Sequence, residues 1–204
     1  MIDLLNTILK NVLTALYQQF WFAVILSILF MFFYLYAREH GWKESIRIWV
    51  SKFKASSYFR RVFLLVFYTT MILFRTLLNR NMWMNPLSDV MGGWWLWEDG
   101  ELTTEPIENL MLFIPFTVLL LWAIGSNTDL KDKFLKNMKL TTVLWQSTKI
   151  TFIFSVSVEF LQLFLRLGTW QLSDMFYNTL GGFTGGLIYW IGWRVKHRGD
   201  EPPL

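Results

Sequence analysis

The sequence lacks cysteine entirely, and it contains little charge and only two histidines. Without cysteine there can be no disulfide, thiolate nucleophile or cysteine metal site. His40 and His197 both lie in basic segments, so the sequence predicts no Ser-His-Asp triad, no metal site and no cofactor. Charged residues make up 17% of the chain, against about 25% in soluble domains. Much of the surface must therefore face something other than water.

Long apolar runs are what the sequence has in abundance. Five stretches can each cross about 30 Å of hydrocarbon, and they cover approximately residues 20–37, 62–78, 107–125, 142–165 and 175–193. Only helices satisfy their own backbone hydrogen bonds along such a run in lipid. The sequence therefore predicts an all-α membrane protein built as a bundle of five transmembrane helices.

The basic residues between these runs predict the orientation. Fourteen lysines and arginines fall in residues 38–61, residues 126–141 and the C-terminal tail, and three fall on the other side. Basic loops stay in the cytoplasm, which predicts an outside N-terminus and an inside C-terminus. We therefore assign the net charge of +4 to topology and to anionic membrane lipids, and predict no nucleic-acid partner.

Two shorter segments have the pattern of amphipathic helices that lie in the membrane interface. Residues 2–16 and 42–53 place apolar residues on one helical face and polar or basic residues on the other. We accordingly divide the chain into an N-terminal part (1–60), a four-helix bundle (61–195) and a cytoplasmic tail (196–204).

Polar side chains within four of the predicted spans fall at one depth. With the predicted orientation, they all lie near the outer end of their helix: Arg75, Glu108, Asn109, Glu159, Gln162, Arg166, Asp174 and Asn178. Ionisable residues inside a membrane are costly and mark functional sites by default. The alternative is a buried ion-pair network that only holds the helices together, with Arg75 and Arg166 as counter-charges of Glu159.

The loop between the second and third spans is acidic and rich in tryptophan. Gly92 and Gly93 permit a sharp bend before Trp94, Trp95 and Trp97. These aromatic residues suit a belt at the membrane interface. Alternatively, the loop covers the polar cluster and offers flat apolar surface to a lipid-like or aromatic ligand.

Two segments carry a family resemblance. Residues 108–116 and 157–186 resemble the VanZ-like family, whose motif positions appear here as Asn109, Phe113, Pro115, Glu159, Gln162, Arg166, Asp174, Asn178 and Gly181. Thr117 and Val118 depart from the glycine that members often carry there. The resemblance implies a multi-pass protein of the bacterial plasma membrane and the cell envelope.

Three functional hypotheses follow from these observations. The resemblance implies antibiotic resistance, to teicoplanin and related lipoglycopeptides, by a mechanism that does not remake the D-Ala-D-Ala terminus, and it implies no established catalytic activity. Such a protein would bind the drug, or alter its access to the lipid-linked cell-wall precursor, through the polar cluster and the loop tryptophans. Alternatively, an enzyme could use Glu159 or Asp174 as general acid or base on a lipid-linked substrate. A transporter fits less well, because no internal repeat is evident.

Overall fold

The computed structural model describes residues 24–26, 28–78, 83–95, 97–98, 101–102 and 104–197. The predicted interfacial helix at residues 2–16 lies outside this part, and so does the tail beyond residue 197. The described residues form seven α-helices, which are α1 (Val24–His40), α2 (Trp42–Ala55), α3 (Ser57–Leu73), α4 (Glu105–Ile124), α5 (Thr128–Phe134), α6 (Leu140–Leu165) and α7 (Leu172–Lys196). A π-helical turn, Phe74–Leu78, continues α3, and a 3₁₀ turn, Lys136–Met138, follows α5. A two-residue hairpin pairs Trp97–Glu98 with Glu101–Leu102.

The N-terminal helices turn sharply at a glycine. α1 and α2 meet at 108°, and Gly41 between them has a φ of 84°, a conformation that suits glycine because it has no side chain to clash. The predicted amphipathic segment at 42–53 forms α2, whose apolar side chains Trp42, Ile46 and Trp49 remain exposed. Such an exposed apolar face suits contact with lipid.

α7 packs between α4 and α6 through its four central glycines. Gly181 and Gly185 lie directly against the backbone of α4, at Leu110 and Ile114. From Gly181 to Gly185 along α7, the contacted residue of α4 also moves forward in sequence, from Leu110 to Ile114. The helices α4 and α7 therefore run parallel. Small residues allow such close approach of membrane helices.

The other face of α7 meets α6. Gly182 lies against Thr151, and Gly186 lies against Ser147, so these two helices run antiparallel. α3 completes the bundle: Tyr68 donates a hydrogen bond to the Leu112 carbonyl (2.9 Å), and Arg61 donates one to the Trp122 carbonyl (3.3 Å). α3 and α4 are therefore antiparallel.

Three of the described helices are long and apolar enough to cross a membrane: Ser57–Leu77, which is α3 with its π turn, α4 and α6. A fourth span is possible if the bent pair α1–α2 counts as one. The predicted fifth span became α7, which is 25 residues long but is not among these helices. Its glycines and its buried Asp174 and Asn178 make it more polar, and the neighbouring helices cover that face. The chain is thus an all-helical membrane protein, and the count of five remains a prediction.

The bundle has two chemically different ends. One, which we call the polar end, contains the C-terminal ends of α3 and α6 and the N-terminal ends of α4 and α7. The other, the basic end, contains the short helix α5. Between them, apolar side chains fill the interior, including Phe113 and Ile72 nearer the polar end and Leu121 and Val143 nearer the basic end.

Candidate functional site

Two buried carboxyl groups lie at the polar end, on facing turns of α6 and α7. Glu159 and Asp174 are 2% and 3% exposed. The contacts between these antiparallel helices repeat every four residues. Ser147 lies against Gly186, and Thr151 lies against Gly182. One turn further, Ser155 accepts a hydrogen bond from the Asn178 amide (2.9 Å). The next step of the same register places Glu159 opposite Asp174. Both acids thus occupy water-poor positions on neighbouring helices.

α4 and the π-helical turn add polar contacts to this pair. The Asn109 side-chain amide donates to an Asp174 carboxylate oxygen (2.7 Å). The Gln162 amide donates to the Thr76 carbonyl (2.7 Å), which ties α6 to the π turn. At the more exposed rim, Arg75 forms an ion pair with Glu108, whose other oxygen accepts a hydrogen bond from the Thr104 hydroxyl (2.6 Å).

The short connection between α6 and α7 closes over the acids. Arg166 ends α6 in a left-handed conformation (φ 56°, ψ 43°), and the Leu167 amide then donates to the Gln162 carbonyl (2.9 Å). This 6→1 bond is typical of a helix C-terminus. Further along, the Gln171 backbone amide donates to a Glu159 carboxylate oxygen (3.3 Å). The connection therefore lies directly against the buried Glu159.

The loop at residues 83–95 is bound to this connection along most of its length. Its backbone exchanges hydrogen bonds with the chain at Arg166, Trp170 and Leu172. Side chains add three more: Gln171 to the Asp89 carboxylate (2.5 Å), Ser173 to the Gly92 carbonyl (2.7 Å), and Tyr177 to the Trp94 carbonyl (2.8 Å). The loop thus covers the end of the bundle where the acids lie.

The tryptophans of the loop take different positions. Trp94 is half-buried and packs against Phe176 and Tyr177 of α7, whereas Trp95 is 75% exposed. Trp97 lies in the first strand of the hairpin. Gly93 makes the bend with a φ of 72°, and a side chain there would collide with the Ser173 hydroxyl. The bend that the sequence predicts is thus present.

Several buried amide oxygens at the polar end accept no hydrogen bond. They belong to Gln162, Gln171 and Asn178. The NH₂ groups of Gln162 and Gln171 donate to oxygens that can only accept, so neither amide can be flipped without losing a bond. An unsatisfied buried acceptor costs about 1–3 kcal/mol. Among the described residues at this end, the buried polar atoms without a hydrogen-bond partner are thus these three amide oxygens and one donor, the Trp170 indole Nε1.

The structure brings one group of the predicted site residues together at the polar end and leaves Arg75 and Arg166 outside that group. Asn109, Glu159, Gln162, Asp174 and Asn178 lie at the polar end together with Ser155, which shares their helical stripe in the sequence, and with two residues that were not selected from the sequence, Gln171 and Asp89. A glutamine in the short connection between two long apolar helices was the available signal for Gln171. Within the described part of the chain, no group of three or more histidine or acidic residues could hold a metal ion.

The two arginines do not take the roles predicted from the sequence. Arg75 pairs with Glu108 at the rim rather than with Glu159. Arg166 is exposed and terminates its helix, and no ion pair of its side chain is found among the described residues. The physical reason is local geometry: the left-handed residue at the end of a helix points away from the stripe that the preceding turns form.

The fold and site define a class of protein: a membrane-embedded helical bundle with buried acids and amides under a covering loop. More particularly, the chain belongs to the VanZ/LLP1 family, whose model matches residues 20–193. The match extends well beyond residues 108–186, where the motifs lie, and includes α1 and α2.

One curated relative is the Protein VanZ of Enterococcus faecium. It is 31% identical over 98 residues, which cover 48% of this chain and 50% of that protein. The match thus spans about half the length of the relative. No solved structure matches the chain.

Proposed function

We propose that this protein acts at the outer face of a bacterial plasma membrane as a multi-pass protein, and that it lowers the action of teicoplanin-like antibiotics that carry a lipid tail. It does so by binding the drug or by limiting its access to the lipid-linked cell-wall precursor. Membership of the VanZ/LLP1 family supports this class of function. The precursor terminus itself is not remade.

One observation carries the proposal: the loop at residues 83–95 exposes large apolar side chains while its backbone is bound to the bundle. The exposed side chains are Trp83, Met84, Leu87, Met91 and Trp95. Several large apolar side chains exposed on one short loop suit a surface that binds a partner or a membrane. A lipid tail or an aromatic peptide core matches that surface, and flexible methionines adapt to an irregular ligand.

The distribution of charge supports the orientation. The described lysines of residues 126–141 and the cations Arg61, Arg194 and Lys196 lie at the basic end, away from the loop. Basic segments favour the cytoplasmic side. The loop and the polar end would then face outward, where glycopeptides act.

Expression in a sensitive host tests the proposal. The protein should raise the inhibitory concentration of teicoplanin more than that of vancomycin, which lacks a lipid tail. Met91→Ala combined with Trp95→Ala should remove most of this protection, because each apolar side chain contributes roughly 1.5–3 kcal/mol when buried by a ligand. The measurement is the inhibitory concentration at matched protein abundance.

Trp145→Ala provides the matched control. Trp145 is 67% exposed, but it lies near the start of α6, at the basic end. Its removal should leave teicoplanin tolerance unchanged. Equal protection against both antibiotics, or equal loss from both variants, would contradict the proposal.

A second candidate is an enzyme that acts on a lipid-linked cell-wall substrate. The facing positions of Glu159 and Asp174 favour it, since one carboxyl group could donate a proton while the other accepts one. The orphaned amide oxygens could orient hydroxyl groups of such a substrate.

The same host distinguishes the two candidates. Glu159→Gln keeps the size of the side chain and removes its ability to exchange a proton. If this variant is as abundant and as thermally stable as the parent protein yet gives no protection, the enzyme is favoured. Retained protection rules the enzyme out and leaves the binding function. Asp132→Asn, an exposed change on α5, controls for loss of an acid elsewhere.

A further inference from the structure

A cavity lies at the basic end of the bundle, away from the buried polar residues of the candidate site. It has a volume of about 560 Å³ and opens between α3, α4, α5 and α7. On α4 the lining residue nearest to the polar site is Val118, nine residues after Asn109, which corresponds to about 13.5 Å along a helix. The cavity and the polar site are therefore separate.

Cations from three elements line this cavity. They are Arg61 of α3, Lys131 of α5 and Lys196 of α7. Among the described residues that line it none is acidic, and within that part of the chain these three cations form no ion pair with a carboxylate. Three positive charges that line one cavity, with no acid among its described lining residues, attract an anion.

Arg61 is held in place but is not fully satisfied. Its guanidinium stacks over the Trp122 ring, 4.6 Å from the centroid, and it donates to the Trp122 carbonyl (3.3 Å). Its Nε is buried and has no hydrogen-bond partner. The Arg61 guanidinium is thus a positioned cation in the cavity wall, and guanidinium groups bind phosphate oxygens through charge-assisted hydrogen bonds.

The deeper wall of the cavity is apolar. Val118 and Ile188 lie below the cations, and Trp193 adds an aromatic side. Gly192 also lines the cavity, and a side chain there would meet open space. A basic mouth above an apolar wall matches a molecule with a charged head and a hydrocarbon tail, and not a free ion alone.

We propose that this cavity binds the phosphate headgroup of an anionic membrane lipid, with Arg61, Lys131 and Lys196 around the phosphate and the acyl chains against Val118 and Ile188. The occupant comes from the membrane leaflet at the basic end. The site would thereby fix α5 and the end of α7 against α3 and α4.

The test uses the purified full-length protein in neutral detergent micelles. Phosphatidylglycerol or phosphatidylcholine is added in steps, and the midpoint of thermal unfolding is recorded. Phosphatidylglycerol should raise the midpoint more strongly than phosphatidylcholine. Lys131→Gln combined with Lys196→Gln should weaken the apparent affinity for phosphatidylglycerol roughly tenfold or more.

Lys52→Gln combined with Lys54→Gln is the matched control, because it removes two exposed lysines of α2 that do not line the cavity. Its affinity should stay within roughly twofold of the parent protein, since distant surface charges are screened. Gly192→Leu fills the cavity and changes no charge, so it tests the site even if the double lysine variant folds poorly. It should also lose the response to phosphatidylglycerol.

The outcomes separate the possible ligands. An equal rise with inorganic phosphate would overturn the lipid assignment and leave a soluble anion as the ligand. Equal responses to the two lipids, or a full response in Gly192→Leu, would overturn the site itself. Neither result depends on the antibiotic assay, so failure here is distinguishable from failure of the proposed function.

Discussion

At the scale of single residues, Asn109 is the donor that joins α4 to the buried acids. Its amide contacts the Asp174 carboxylate, while the neighbouring Glu108 points to Arg75 at the rim. Adjacent residues on one helix turn thus serve different partners. Position 109 needs a side chain that donates a hydrogen bond, because the Asp174 carboxylate opposite it offers acceptor oxygens.

Asn109→Asp should therefore destabilise the protein. The change replaces a donor with another acceptor beside a carboxylate, and leaving a buried group unsatisfied costs about 1–3 kcal/mol. The free energy of unfolding in mixed detergent micelles measures the effect. A stability equal to that of the parent protein would show that the contact with Asp174 contributes nothing.

Asn127→Asp is the matched control for this change. Asn127 caps α5 by accepting a hydrogen bond from the Leu130 amide (3.0 Å). A carboxylate caps a helix N-terminus at least as well as an amide. The same chemical substitution should thus be neutral at this position, and destabilisation there would point to a general effect of added negative charge.

The sequence predicted several of the residues at the polar end, but only some of their hydrogen-bond and ion-pair partners. Depth and helical spacing selected Glu159, Asp174 and Asn178 without any structure. The pairing of Arg75 with Glu108 could not be derived, since it depends on how the π-helical turn rotates the end of α3. A π turn shifts every later side chain around the helix axis.

At the scale of elements, two glycines of α7 have different surroundings, one in the middle of the helix and one near its C-terminal end. Gly181 touches the α4 backbone at Leu110, so there is no room for a further atom. Gly192, three turns later, faces open space. One glycine is required by packing, and the other is not.

Gly181→Ala and Gly192→Ala should therefore have opposite effects. Forcing a methyl group against a backbone carbonyl costs about 1–3 kcal/mol. In contrast, alanine in an unobstructed helix position is more favourable than glycine by up to about 1 kcal/mol. Thermal unfolding of both variants in the same detergent checks this. If both lower the midpoint equally, close packing of α7 on α4 is not what Gly181 provides.

The spacing of the glycines in α7 does not determine which helix they pack against. Spacing alone allows Gly181 and Gly185 to face any neighbour. The structure assigns that pair to α4 and the pair Gly182 and Gly186 to α6. This choice depends on helix rotation, which is decided by all the contacts of the bundle together.

At the scale of the whole molecule, the loop at residues 83–95 and helix α5 lie at opposite ends of the bundle. In the proposed orientation, the loop is accessible from outside the cell and α5 is not. The chain contains no cysteine, so a single introduced cysteine is the only thiol that a reagent can reach. Asn85 and Asp132 are both exposed and lie at the polar and the basic end, respectively.

In intact cells, Asn85→Cys should react with a membrane-impermeant maleimide. Asp132→Cys should react only after the membrane is permeabilised, because the basic segment is expected in the cytoplasm. The fraction of labelled protein is the measurement. Labelling of both positions in intact cells, or the reverse pattern, would contradict the orientation and with it an outward-facing polar site.

The sequence by itself determined the helical membrane class, the resemblance to the family and the residues that share one depth. These properties depend on hydropathy and helical spacing, which are local and can be read along the chain. The tertiary structure alone decided that the loop binds to the α6–α7 connection through Asp89 and Gln171, that Glu159 accepts a hydrogen bond from the Gln171 backbone amide, and that a cavity opens at the basic end. Such contacts join segments that are distant in sequence, and they depend on helix rotation and register to within a few ångströms, which no local pattern encodes.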